Sequence, residues 1–256
     1  MHQALAYFRF LWKSQNQHGL HSPFVYQLVT CCFYDRKKYP AYKKLKSYRS
    51  KLLANKNTIE VTDFGAGSRI FKSNTRKISE ISKIAGITRK KARFLFRLTN
   101  YLEINNSLEL GTSVGIATVA MALANPKKIV TIEGCPETAG VARQYFKEFD
   151  LKNIDSRIGN FKNCLPNLAK TESFDLIYFD GNHQKEATLQ YFNQLKKTAH
   201  NDSIFVFDDI HLSPEMEETW ESIKQDLDVQ VTIDTFYVGL VFFRKQQAKQ
   251  HFTIRL

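Results

Sequence analysis

Cysteine is scarce in this 256-residue sequence, and the four present, Cys31, Cys32, Cys135 and Cys164, show neither a paired framework nor the repeated short spacing of a zinc site. This argues against a disulfide-stapled scaffold and makes a reducing, cytoplasmic setting the simplest expectation. No apolar run of membrane-spanning length occurs. The aromatic start MHQALAYFRFLWKSQ is interrupted by Arg9 and Lys13 and is followed by no small-residue cleavage site, so neither a leader nor a membrane anchor is expected. Repeats and low-complexity segments are also missing.

Acidic residues are few at the front. Residues 1–100 carry 21 Lys and Arg against 4 Asp and Glu, a charge of +17, whereas the remainder carries −5 of the net +12. A basic front favours an anionic partner such as RNA, DNA, a lipid surface or a phosphorylated substrate. A solvated basic surface accounts for it equally well.

From residue 107 onward short apolar runs alternate with amphipathic stretches, the pattern of βαβ units and a mainly parallel sheet. Strands are expected at 107–111, 128–133, 155–158, 174–180 and 203–209, with helices between. VQVTIDTF and YVGLVFFRK have too little chain between them for a helical crossover, so they should pair antiparallel. Before residue 107 the texture is helical. Ser22 and Pro23 read as an N-cap and first-turn proline, and Ile78, Ile81 and Ile84 recur before Gly86, where Thr88 opens a second helix. The expected division is a basic, mainly helical region over 1–106 and an α/β domain over 107–256.

The segment E-L-G-T-S-V-G, Glu109 to Gly115, lies directly between a strand and the helical IATVAMALA. Glycines at 111 and 115 let the backbone turn sharply and approach a ligand with no Cβ in the way. Three look-alikes compete. G-T-S-V-G fits a hydrolase nucleophile elbow, with Asp208 and His211 following in triad order, but that fold needs several strands before the elbow. A nicotinamide fingerprint is missing, because Gly115 falls four residues after Gly111 and the G-x-G-x-x-G spacing does not arise. A second glycine-rich stretch, Asp63 to Ser68, has no series of strands after it and reads as a turn, with a flexible loop holding an anion beside Arg69 as the functional alternative.

Glu133 ends the next strand, where a carboxylate accepts hydrogen bonds from both hydroxyls of a ribose. The strand after that ends in Gly159-Asn160-Phe161, an amide for an adenine edge and an aromatic face for its ring. Three consecutive strand ends thus supply three parts of one nucleoside site. On these residues the segment 107–245 resembles the class I methyltransferases, and in particular the small-molecule O-methyltransferases similar to catechol O-methyltransferase. The resemblance implies a Rossmann-like methyltransferase fold: a mostly parallel seven-stranded sheet with an antiparallel C-terminal hairpin, here with a helical basic N-terminal extension. It implies S-adenosylmethionine as cofactor, held by Glu109, Gly111, Ser113, Gly115, Glu133, Asn160, Phe161 and Asp180.

The strand FDLIYFD delivers Asp180, followed by His183, and SIFVFDD delivers Asp208 and Asp209, followed by His211. If these strands are neighbours their ends lie about 5 Å apart, and crowded carboxylates call for a cation or protons. In the metal-dependent O-methyltransferases this region holds a divalent ion, so the resemblance makes Asp180, Asp208 and Asp209 candidate ligands of Mg²⁺ or another divalent cation. The sequence departs from that pattern at Asp209, often an amide there, and at His183, where a lysine is common. D-G-x-H resembles another branch of the superfamily. Asp180 and His183 are the candidate catalytic pair, with imidazole suited to taking a hydroxyl proton near neutrality. The alternative for Asp180 is to cap the following helix. His18 and His21 are read as structural.

The favoured reading is O-methylation of a small-molecule hydroxyl acceptor. A second is RNA methylation, with Lys90, Lys91, Arg93 and Arg97 on phosphates and Phe94 and Phe96 stacking on bases. A third is a helix-turn-helix DNA module, or a non-enzymatic cofactor sensor, with Gly86 in the turn.

Overall fold

Capping and punctuation residues place most of the helices in the computed structural model, which describes residues 2–62 and 73–256. The Asp63 to Arg69 stretch lies outside the described residues. The helices are α1 (His2–Lys13), α2 (Pro23–Leu28), α3 (Ala41–Ala54), α4 (Ile78–Ile84), α5 (Arg89–Tyr101), α6 (Ile116–Ala122), α7 (Pro136–Glu148), α8 (Phe161–Thr171), α9 (Lys185–Leu195) and α10 (Pro214–Gln225). Ser22 accepts the Val25 N–H at 3.4 Å, so α2 opens where serine followed by proline implies. It runs on into a π turn over Val29–Phe33. Thr88 likewise caps α5, accepting from the Lys91 N–H at 3.2 Å. The turn between α4 and α5 needs Gly86, whose added Cβ would lie 2.4 Å from the Ser82 carbonyl oxygen and 2.7 Å from Ile116 Cδ1.

The strands are β1 (Thr58–Glu60), β2 (Thr75–Lys77), β3 (Asn106–Leu110), β4 (Lys128–Glu133), β5 (Ile154–Ile158), β6 (Leu176–Phe179), β7 (Ile204–Asp208), β8 (Val231–Asp234), β9 (Val238–Phe242) and β10 (Gln250–Thr253). β1 and β2 form a small antiparallel pair that the helical texture of the front did not announce. The main sheet runs β10-β8-β9-β7-β6-β3-β4-β5. It has eight strands, not the expected seven, because β10 adds to the edge parallel to β8. The expected antiparallel hairpin is present as β8 and β9, and β9 is also antiparallel to β7.

Residues 35–164 form one compact unit, and residues 1–34 with 165–256 form another. In the first, β3, β4 and β5 pair in parallel, and every residue of α6 is buried. IATVAMA has no charge and three alanines, so α6 packs against β4 as well as against α3 and α5. In the second unit β6 (LIYF) and β7 (IFVFD) are buried at every position, as parallel strands covered on both faces must be. Their rings interlock, with Phe179 and Phe207 stacked at 4.3 Å. His211 is tied there between Glu217 (2.7 Å) and Asp234 (2.9 Å) and stacks on Phe236. Burial acts to lower its pKa, but the Asp234 and Glu217 carboxylates outweigh that and raise it, so His211 is a clamp holding the segment after β7.

Candidate active site

The loop after β3 is built on a buried acid. Glu109 is fully buried on β3, directly opposite Thr131 in the parallel register with β4. Its Oε2 accepts hydrogen bonds from the hydroxyls of Thr131 and Thr118, both at 2.5 Å, and the Thr131 hydroxyl also meets that of Thr112 at 2.5 Å. Its Oε1 has no partner. Burial raises the pKa to about 8 and the Glu133 charge adds to the rise, while the two threonine hydrogen bonds hold it down.

The sign of the resulting stability change follows from the raised pKa. A carboxyl that ionises near 4.5 in the unfolded chain and near 8 when folded contributes stability that is whole below pH 4.5 and gone above about 8. The span amounts to about 5 kcal/mol. Glu109→Gln, which imitates the protonated acid, is therefore expected to match the wild type in thermal unfolding at pH 5 and to exceed it at pH 9. Parallel melting-temperature profiles for the two proteins across that range would contradict this assignment.

Glu133, at the end of β4, closes the loop from outside. Its Oε2 accepts the Ser113 N–H at 2.8 Å and its Oε1 accepts the Cys135 N–H at 3.0 Å. Gly111 and Gly115 have φ of 102° and 79°, and Ser113 joins them in the left-handed region at 48°. From the other side the Tyr48 hydroxyl, on α3, donates to the Val114 carbonyl at 2.8 Å. Asn160 opens α8, its Oδ1 accepting the Lys162 N–H at 2.9 Å, with Phe161 as the first helical residue. Glu109, Gly111, Ser113, Gly115, Glu133, Asn160 and Phe161 thus share one unit. The sequence reading missed Tyr48 and the three threonines; hydroxyls inside the apolar runs KIVTIE and IATVAMA were the available signal.

Asp180 and His183 belong to the other unit, in the turn between β6 and α9. His183 Nε2 stands 3.9 Å from Asp180 Oδ1, and both side chains are mostly covered. The capping alternative for Asp180 does not describe α9, whose N-cap is Gln184 with no side-chain cap bond. Asn182 supplies the left-handed residue of the turn, and its Oδ1 is buried without a partner. At the end of β7, Asp208 is buried. Its Oδ2 accepts the Tyr178 hydroxyl at 2.8 Å and its Oδ1 the Asp209 N–H at 2.9 Å. Among the described residues no group of three His, Cys, Asp or Glu side chains is placed to hold a metal ion. The donor set expected at Asp180, Asp208 and Asp209 is not gathered in this arrangement.

Residues 108–210 match the family model described as a methyltransferase domain. That segment is a methyltransferase domain. It contains Glu109 through Asp209, and so nearly all the site residues named above. Two catechol O-methyltransferases are similar in sequence. That of Niastella koreensis is 29% identical over 129 residues, covering 48% of this chain and 58% of that protein; that of Mycobacterium tuberculosis is 28% identical over 135 residues, covering 52% and 60%. The chain therefore spans about three fifths of the length of these curated relatives.

Solved structures agree on the fold of the methyltransferase domain and its surroundings. The SAH-bound methyltransferase PaMTH1 of Podospora anserina gives a TM-score of 0.59 at 13% identity, covering 88% of this chain and 97% of that one. The O-methyltransferase of Bacillus cereus in complex with SAH gives 0.57 at 16% identity, covering 82% and 94%. The helices in front of the domain carry 13 of the 37 Lys and Arg residues, but Phe94 and Phe96 are 3% and 4% exposed and present no face for stacking on bases. No helix among the described residues is long and apolar enough to cross a membrane.

Proposed function

We propose that the chain is an S-adenosylmethionine-dependent methyltransferase acting on a hydroxyl oxygen of a small molecule. The observation that carries this reading is the loop from Gly111 to Gly115, tied at its midpoint, Ser113, to Glu133 and resting on Glu109, a buried acid with one oxygen unpartnered. A buried acceptor without a donor asks for one from a ligand, and the ammonium of an amino-acid moiety meets that need. Glu133 fixes the turn of the loop by accepting the Ser113 N–H. Asn160 and Phe161 are suited to flank a planar base at the start of α8. The relatives named for catechol O-methylation support a hydroxyl acceptor.

Bound S-adenosylmethionine supplies a methyl carbon already made electrophilic by its sulfonium. The protein's part is alignment and removal of one proton. With the cofactor bound, His183 Nε2 would accept the proton that the acceptor hydroxyl gives up on methylation. Asp180, 3.9 Å away, stabilises the imidazolium that forms. Asp208, with both oxygens already engaged, positions the end of β7. No step is routed through a metal, because the three carboxylates do not form a donor set here.

Calorimetry with S-adenosylmethionine and its demethylated product, followed by transfer of labelled methyl to catechol as the first acceptor, tests the proposal. Binding of both cofactor forms and label in the acceptor are expected. Absence of cofactor binding, with a nicotinamide nucleotide bound instead, would sink it.

A further inference from the structure

Four cations that the methyl-transfer reading does not use line one cleft. Tyr42, Lys46, Arg49, Ser50 and Leu53 follow helical spacing along one face of α3, and Arg89 and Arg93 stand one turn apart on α5. Together with Leu45, Ala92 and Ile116 they border a small cleft of about 60 Å³. All lie within the unit of residues 35–164.

Among the described residues none of Lys46, Arg49, Arg89 or Arg93 has a carboxylate partner, and no carboxylate lines the cleft. Arg49 is half-buried and donates to the Ile87 carbonyl; burial first, and then the Arg89 charge, lower its pKa. Arg93 lies over the Tyr42 ring at 4.7 Å. The Tyr42 hydroxyl, at the same cleft, is shielded from solvent and has no hydrogen-bond partner. The positive end of the α5 dipole, at Arg89, adds to the potential in the same sense.

Uncompensated like charges held at a concave surface are a standing electrostatic cost that an anion removes. Planar guanidinium forks match phosphate oxygens two at a time, and a single carboxylate would leave most of the charge unmet. We propose that this cleft binds a phosphate-bearing small molecule. The cations converge on one pocket with an apolar floor of Leu45, Ala92 and Ile116, rather than spreading along a track. The neighbouring Phe94 and Phe96 are buried, so neither offers a stacking face to single-stranded nucleic acid.

The test is calorimetric titration of the full chain with sodium pyrophosphate at low and moderate salt. One bound pyrophosphate per chain is expected. Lys46 and Arg89 are both exposed, so the double variant Lys46→Gln/Arg89→Gln should melt at the wild-type temperature while binding pyrophosphate at least about tenfold more weakly. Tyr42→Phe keeps the stacked ring and is expected to weaken binding about threefold through loss of one hydrogen bond. Binding of S-adenosylmethionine should be unchanged in both, so failure here and failure of the methyl-transfer reading are separable. The proposal is overturned if pyrophosphate does not bind, if the double variant binds it equally well, or if the variant loses only affinity for transfer RNA that pyrophosphate does not displace.

Discussion

Gly115→Ala is expected to weaken S-adenosylmethionine binding by at least about a hundredfold. Gly115 sits at φ 79° and ψ 17°, in the left-handed region, where a side chain costs about 1–2 kcal/mol before any contact is counted. The contacts are worse than the backbone term. A Cβ there would lie 2.5 Å from Phe146 Cε1 and 2.8 Å from the Tyr48 hydroxyl oxygen. Neither neighbour yields easily: Phe146 is 5% exposed, and Tyr48 is fully buried with its hydroxyl donating to Val114. The loop must shift, and Val114 and Ser113 shift with it, breaking the tie from the Ser113 N–H to Glu133. A loss of about 3 kcal/mol in a site that depends on the shape of that loop is roughly a hundredfold in affinity. Ser113→Gly is the control, since Ser113 is also left-handed and glycine relieves its strain. That variant should bind the cofactor within about threefold of wild type. Calorimetry on both, alongside their melting temperatures, decides. Wild-type affinity in a folded Gly115→Ala protein would remove the loop from the cofactor site.

The loop could be placed from sequence because strand, glycine and helix signals fall side by side in it. KIVTIE was expected as a strand over 128–133 and is one over Lys128–Glu133. The threonine network under Glu109 was not visible, since Thr131 meets Glu109 only through the parallel register of β3 and β4, and Thr118 only through the packing of α6. β10 escaped notice for a different reason. Its residues QHFT carry no apolar alternation and are largely exposed at the sheet edge, so only pairing with β8 defines them. β1 and β2, at three residues each, fall below the length at which alternation is readable. The basic front was read as a charge excess, with Lys90, Lys91, Arg93 and Arg97 as candidate phosphate contacts. Which of its cations are balanced and which share a cleft depends on how α3 and α5 pack, and no count along the chain shows that.

His183→Gln is expected to lower kcat by about a hundredfold or more while leaving cofactor affinity unchanged, as removal of a general base does. The substitution keeps a polar side chain of similar length at a partly covered turn position, so stability should move little. Asp180→Asn removes the charge 3.9 Å from Nε2 without changing shape. It should lower kcat about tenfold while the melting temperature and cofactor affinity stay at the wild-type values. That split separates the proposed pairing from a purely structural role, which would reduce the amount of folded enzyme. Should kcat survive in His183→Gln, the proton must leave by another route, and the Asp180–His183 pair would be a turn contact.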